Sequence, residues 1–116
     1  MKPLELSAAN FERFIGNNQM VLVDFWAPWC GPCKRFAPVF ELAAEAHEGI
    51  AFAKVNTETQ PELARTMQIA SIPTLVAFKN GILVHSKPGA LKAAALEQLL
   101  MKLQKPVDPP SLPRRE

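Results

Sequence analysis

Met20 to Lys34 reads MVLVDFWAPWCGPCK, and the fold turns on this stretch because its periodicity changes halfway along. Met20 to Trp26 is a nearly continuous apolar run rich in valine, the pattern of a strand covered on both faces in a parallel-sheet interior. Pro28 stops it. From Gly31 to about Gly49 the period becomes helical, with Cys33, Phe36, Ala37, Phe40, Ala44 and His47 at i, i+3, i+4, i+7 spacing. Pro32 suits the first turn, where its missing N–H had no partner to lose. Pro38 removes a bond to the Lys34 carbonyl and predicts a kink about one turn beyond Cys33. The junction puts Cys30 and Cys33, the only 2 cysteines in 116 residues, at the carboxyl end of a strand and the start of a helix. Open α/β sheets usually place their sites there. A ring closed by two such near neighbours removes little entropy from the unfolded chain, so its use is to open and close rather than to staple.

Upstream, Leu4-Glu5-Leu6 alternates as a short strand, and Ser7 is a plausible N-cap for a helix presenting Phe11, Phe14 and Ile15. Gly16-Asn17-Asn18 ends that helix. Downstream, Ile50 to Val55 reads as a second central strand. A helix of about ten residues should follow from Thr59, since Thr59 to Glu62 has the capping-box pattern with Pro61 in the first turn. Strand, helix and parallel strand make a right-handed crossover. Thr74 to Lys79 and Ile82 to Lys87 flank Asn80-Gly81, a strong hairpin signal, so this half is antiparallel. After Pro88-Gly89, Leu96, Leu99, Leu100 and Leu103 mark the apolar face of a closing helix. The order is β-α-β-α-β, then α-β-β-α: an α/β fold with a mixed central sheet and helices on both faces. Residues 1–105 form one domain, and 106–116, with Pro106, Pro109, Pro110 and Pro113, read as a disordered tail.

A hydrophobic content of 48% and a charged content of 21% are those of an ordinary globular protein. A net charge of +2, with no basic stripe, gives no case for nucleic acid. The longest apolar run is broken by Asp24 and falls far short of the roughly 20 residues a spanning helix needs, so no membrane insertion is expected. Met1 to Arg13 shows no apolar signal core, and a lone closely spaced cysteine pair favours a reducing, cytoplasmic setting. His47 stands too far along its helix from Cys33, about 21 Å at 1.5 Å per residue, to share an ion with it. His85 reads as a half-exposed strand residue, so no metal site is expected.

Asp24 is a carboxyl inside an apolar strand, costly unless paired or protonated. Parity puts it on the face of Leu22 and Trp26, and Lys54, sharing parity with Phe52 on the neighbouring strand, is its expected partner. Desolvation should raise its pKa. Cys30, at the helix start, faces unpaired N–H groups that favour a thiolate nucleophile, whereas Cys33, one turn in, should be more buried and suited to resolving a mixed disulfide.

Over Leu4 to Gln104 the chain resembles the thioredoxin family. VDFWAPWCGPCK at Val23 to Lys34, AKVN at Ala53 to Asn56, SIPT at Ser71 to Thr74, FKNG at Phe78 to Gly81 and Gly89-Ala90 fall in the family's order and spacing. The resemblance implies a thioredoxin fold and a protein disulfide reductase serving electron transport and cell redox homeostasis, with Cys30 and Cys33 as the redox-active disulfide. It implies proton transfer at the buried cysteine by Asp24, with Lys54 beside it. It implies a cis Ile72-Pro73 bond against the disulfide, with the Ile72 backbone open to an extended substrate. Gly31, Pro32 and Pro73 would shape the site, and Trp29, Ile72, Gly89 and Ala90 would meet oxidised protein substrates. No bound cofactor is implied: NADPH would act indirectly through a thioredoxin reductase, and the protein is expected to be a monomer. Gly31-Pro32 resembles reducing members, since oxidising ones usually carry a histidine there. The alternatives are an oxidase or isomerase, or a thioredoxin-fold interaction or chaperone-like module. Asn56-Thr57-Glu58 together with SIPT resembles a bacterial subgroup that carries an extra zinc-binding module, whose cysteines are missing from this sequence. Ala70 departs from the Arg or Gly that often precedes SIPT.

Overall fold

A computed structural model describes residues 2–105; the expected tail at 106–116 lies outside the described residues. The elements run β1 (Leu4–Glu5), α1 (Phe11–Gly16), β2 (Met20–Trp26), α2 (Gly31–Ala46), β3 (Ala51–Asn56), α3 (Pro61–Thr66), β4 (Thr74–Lys79), β5 (Ile82–Pro88) and α4 (Ala93–Gln104). The five strands form one sheet in the order β1-β3-β2-β4-β5. β1 and β2 flank β3 in parallel, whereas β4 runs antiparallel to both β2 and β5. The apolar stretch that decided the fold is therefore the central strand.

Alternation along β2 divides the core. Met20 and Leu22 join Phe52, Leu75 and Ala77 beneath Phe36 and Phe40 of α2 and Leu96 and Leu100 of α4. Val21, Val23 and Phe25 face the other way, onto Phe11 and Ile15 of α1 and Leu63 of α3. Edge-to-face aromatic pairs, Phe40 with Phe52 and Phe11 with Phe78, fill both layers. α2 continues as a single helix through the exposed Pro38. In the hairpin, Asn80 and Gly81 take φ of 53° and 80°, as a tight two-residue turn demands.

Two helix starts differ from expectation. α3 has 6 residues and begins at Pro61 after Gln60, which makes no side-chain cap. Thr59 is not the cap, because its hydroxyl donates back to the Asn56 carbonyl at 3.3 Å while the Glu58 N–H donates to Asn56 Oδ1 at 2.9 Å. Asn56 thus organises the turn that precedes the helix. Gln68, at φ 58°, lies beyond its far end. Ser7 likewise serves a turn rather than α1: its hydroxyl accepts from the Ala9 N–H at 3.2 Å, and Asn10 stands at the N-cap position.

Candidate active site

The end of β2, the start of α2 and the segment before β4 converge on the two cysteines. The Cys30 N–H donates to the Ala27 carbonyl at 3.2 Å, turning the chain out of the strand. Cys30 is then the N-cap of α2, with Pro32 in the first turn. The sulfurs of Cys30 and Cys33 are bonded to each other, with Cα atoms 5.2 Å apart. The Cys33 N–H donates to Cys30 Sγ at 3.2 Å, so a helix-end donor that would otherwise be orphaned is aimed at that sulfur. The expected contrast in burial is small: Cys30 is 4% exposed and Cys33 2%. Their asymmetry lies in position, with the helix-end N–H directed at Cys30 alone.

Opposite the disulfide, the Ile72-Pro73 peptide bond is cis. Cys30 Sγ lies 3.9 Å from the Ile72 carbonyl oxygen, a contact without a donor while the disulfide is closed. The buried Thr74 closes this turn by donating to the Ser71 carbonyl at 2.6 Å. The Gly89 N–H donates to the Pro73 carbonyl at 2.8 Å, so Gly89 and Ala90 flank the same site. Gly89 has φ of 118°, a conformation that disfavours any residue with a Cβ. Around the sulfurs, Trp29 is 67% exposed, Gly31, Pro32, Gly89 and Ala90 are exposed, Ile72 is half-buried and Pro73 buried. The residues expected to form a partner-facing surface are therefore brought together beside a nearly covered disulfide.

Beneath the site, Asp24 is 1% exposed, and its Oδ1 has no hydrogen-bond partner among the described residues. Burial pushes its carboxyl up to about 7, with the Lys54 charge acting to lower it and the Glu5 charge to raise it. The direct Asp24–Lys54 pair expected from parity does not form among the described residues. The two residues are register neighbours, but the ion pairs among the described residues are His47–Glu97 and Arg65–Glu62. Lys54 Nζ instead sits 4.4 Å from the centroid of the Trp26 ring, where the cation meets the π face. The Trp26 indole N–H donates to Glu5 Oε2 at 3.2 Å. Glu5 and Trp26 thus join the cluster without having been singled out as site residues. The alternation of Leu4-Glu5-Leu6 carried a signal for Glu5, but its register against Lys54 did not follow from the sequence.

Among the described residues no group of three or more His, Cys, Asp or Glu is arranged to hold a metal ion. His47 shares a 2.8 Å hydrogen bond with Glu97, tying the end of α2 to α4. His85 is half-buried on β5, held below the ordinary imidazole range by burial and by the charges of Lys87 and Lys102.

A cysteine pair at a helix start that can open to its two thiols exchanges with another disulfide by thiolate attack, and that defines a thiol–disulfide oxidoreductase. The family model described as Thioredoxin matches residues 2–102, and the chain belongs to the thioredoxin family. It is 49% identical over 102 residues to a putative thioredoxin 2 of Streptomyces coelicolor, covering 88% of this chain and 76% of that one. It is 47% identical over 90 residues to a bifunctional thioredoxin reductase/thioredoxin of Mycobacterium leprae, covering 77% of this chain and 20% of that one. A mutant thioredoxin from Halobacterium salinarum superposes with a TM-score of 0.85 at 32% identity, covering 92% of this chain and 95% of that one. The protein is a protein disulfide reductase with a thioredoxin fold, and the comparisons favour this over an interaction or chaperone-like module.

Proposed function

We propose that the reduced protein transfers two electrons to an oxidised protein through a directional pair of thiols. The Cys30 thiolate attacks one sulfur of the substrate disulfide, and the other substrate sulfur leaves as a thiolate. Cys33 loses its proton to Asp24 and attacks Cys30 Sγ. The mixed disulfide breaks, the second substrate thiolate departs and the Cys30–Cys33 bond forms. The observation that carries this assignment is the Cys33 N–H directed at Cys30 Sγ at 3.2 Å, a donor that stabilises negative charge on that sulfur. Exposed Trp29, Gly89 and Ala90 offer the substrate a flat apolar seat, and the Ile72 backbone offers it a short strand pairing. Lys54 tunes Asp24 by charge at the neighbouring register position rather than by contact.

Electrons return from NADPH through a thioredoxin reductase, a reading supported by the Mycobacterium leprae relative whose name joins the two activities. The chain itself carries no dinucleotide fingerprint. We place the protein in the cytoplasm, since its cysteines form one closely spaced pair, and read it as a monomer whose own helices cover both faces of the sheet.

The test is reduction of a protein disulfide in the presence of thioredoxin reductase and NADPH. Cys30→Ser should abolish turnover, and Cys33→Ser should accumulate a mixed disulfide between Cys30 and the substrate. Accumulation by Cys30→Ser instead would reverse the roles, and a wild-type protein that the reductase cannot turn over would sink the electron route.

A further inference from the structure

The parallel strands β1, β3 and β2 align three charged residues in one row. Glu5 is the register partner of Lys54, and Lys54 is the register partner of Asp24. Directly aligned residues on parallel strands point to the same face, here the face that α2 covers. Burial grades along the row: Glu5 is exposed, Lys54 half-buried and Asp24 buried. An ammonium between two carboxyls has a choice of partner, yet it rests 4.4 Å from the centroid of Trp26, which stands two residues beyond Asp24 on β2. The ring itself is anchored at its edge, where the indole N–H donates to Glu5 Oε2 at 3.2 Å.

We propose that Glu5 is a positioning residue for the proton transfer at Cys33: by holding the Trp26 indole, it fixes the platform that keeps the Lys54 ammonium out of direct contact with Asp24. The inference rests on the reading of Asp24 as the proton acceptor. Its physical basis is a competition. A free Lys54 side chain has enough rotamers to swing toward a buried carboxyl with an unpartnered oxygen, and that contact would hold the carboxyl ionised. An anchored indole face offers the cation an alternative that leaves Asp24 able to take up a proton. The Glu5 charge acts in the same direction through space, since it opposes ionisation of Asp24. Among the described residues the charged groups acting on Asp24 are Lys54 and Glu5; on the same sheet face α2 and α4 contribute the apolar Phe36, Phe40 and Leu96, and β4 sets Leu75 at the matching register.

Through-space charge and positioning separate experimentally, because Glu5→Gln keeps an acceptor for the indole while Glu5→Ala removes it. The Asp24 carboxyl is titrated by carbon NMR in the oxidised full chain, which needs no turnover. Glu5→Gln should lower its midpoint by a few tenths of a unit, an effect that fades in about 1 M salt, where screening reaches about 3 Å. Glu5→Ala should lower it by about one unit, largely retained in salt, and slow the resolving step at pH values above the wild-type midpoint, where the carboxylate is ionised in both proteins and the weaker base takes the Cys33 proton less readily. In a Lys54→Met background the difference between Glu5→Gln and Glu5→Ala should vanish. Equal shifts in Glu5→Gln and Glu5→Ala, or a difference that survives Lys54→Met, would overturn the proposal. Should Asp24→Asn leave the reduction kinetics unaltered while the Glu5 variants still move the titration as stated, the catalytic reading of Asp24 fails and the positioning of Lys54 stands.

Discussion

A carboxyl that is 1% exposed and pushed up to about 7 makes the stability of the whole fold respond to pH. In the unfolded chain Asp24 ionises near its ordinary value of 3.8. Between those two values the folded state holds a proton that the unfolded state has released, so folding stability falls as pH rises through this window and levels off above it. At about 1.4 kcal/mol per unit the loss is at most about 4 kcal/mol. Urea unfolding of the oxidised protein should therefore give a higher midpoint at pH 5 than at pH 8, and Asp24→Asn should flatten the difference and be the more stable form at pH 8. A wild-type protein equally stable at both would contradict the burial cost assigned here. The same variant should slow the resolving step by about 100-fold or more, the usual contribution of a positioned base, with the pH dependence of the rate lost. Asp24 was legible in the sequence because a charge interrupts an apolar strand. The direction of Lys54 was not, because a long side chain chooses among neighbours on two other strands, and that choice depends on Glu5 holding the indole of Trp26.

At the scale of elements, the C-terminal end of α4 is closed by a residue from the sheet. Lys79, the last residue of β4, donates from Nζ to the Leu103 carbonyl at 2.8 Å and to the Lys105 carbonyl at 2.7 Å. An ammonium at a helix C-terminus meets both orphan carbonyls and the negative end of the macrodipole. Lys79→Met should therefore destabilise the protein by about 1–2 kcal/mol, the range for charge-assisted bonds at a partly exposed site. Amide exchange should rise in the last turn of α4 and not in α2; a uniform rise would point to a global effect instead. Periodicity and punctuation were enough to read β2, the α2 start and the hairpin, because apolar runs, Pro32 and Asn80-Gly81 act locally. They failed at α3, where Thr59 to Glu62 has the letters of a capping box. The folded chain gives the preceding turn to Asn56, a residue fixed in place by strand β3. The bond from Lys79 to α4 spans elements and had no local signature.

For the whole molecule, the strand order β1-β3-β2-β4-β5 puts the reactive disulfide at one end of the central strand and closes both sheet faces within residues 2–105. Crossover handedness made the parallel half readable from sequence, whereas the place of β1 beside β3 was not, since two exposed residues carry little pattern. The last core residue in chain order among those described is Leu100, and Lys79 binds the carbonyls of Leu103 and Lys105 just beyond it. We therefore expect a chain ended after Lys105 to retain the domain. Its unfolding free energy should match the full chain within about 0.5 kcal/mol, the usual range for surface changes, and its disulfide reduction rate should be unaltered. A loss well beyond that would mean that residues 106–116 cover part of the fold. The surface to inspect first is the cleft of about 290 Å³ lined by Met20, Ile50, Lys79 and Gln104, beside the end of α4. Separate denaturation and turnover measurements on the two chains distinguish these outcomes, because a segment packed there would change stability while leaving the chemistry at Cys30 intact.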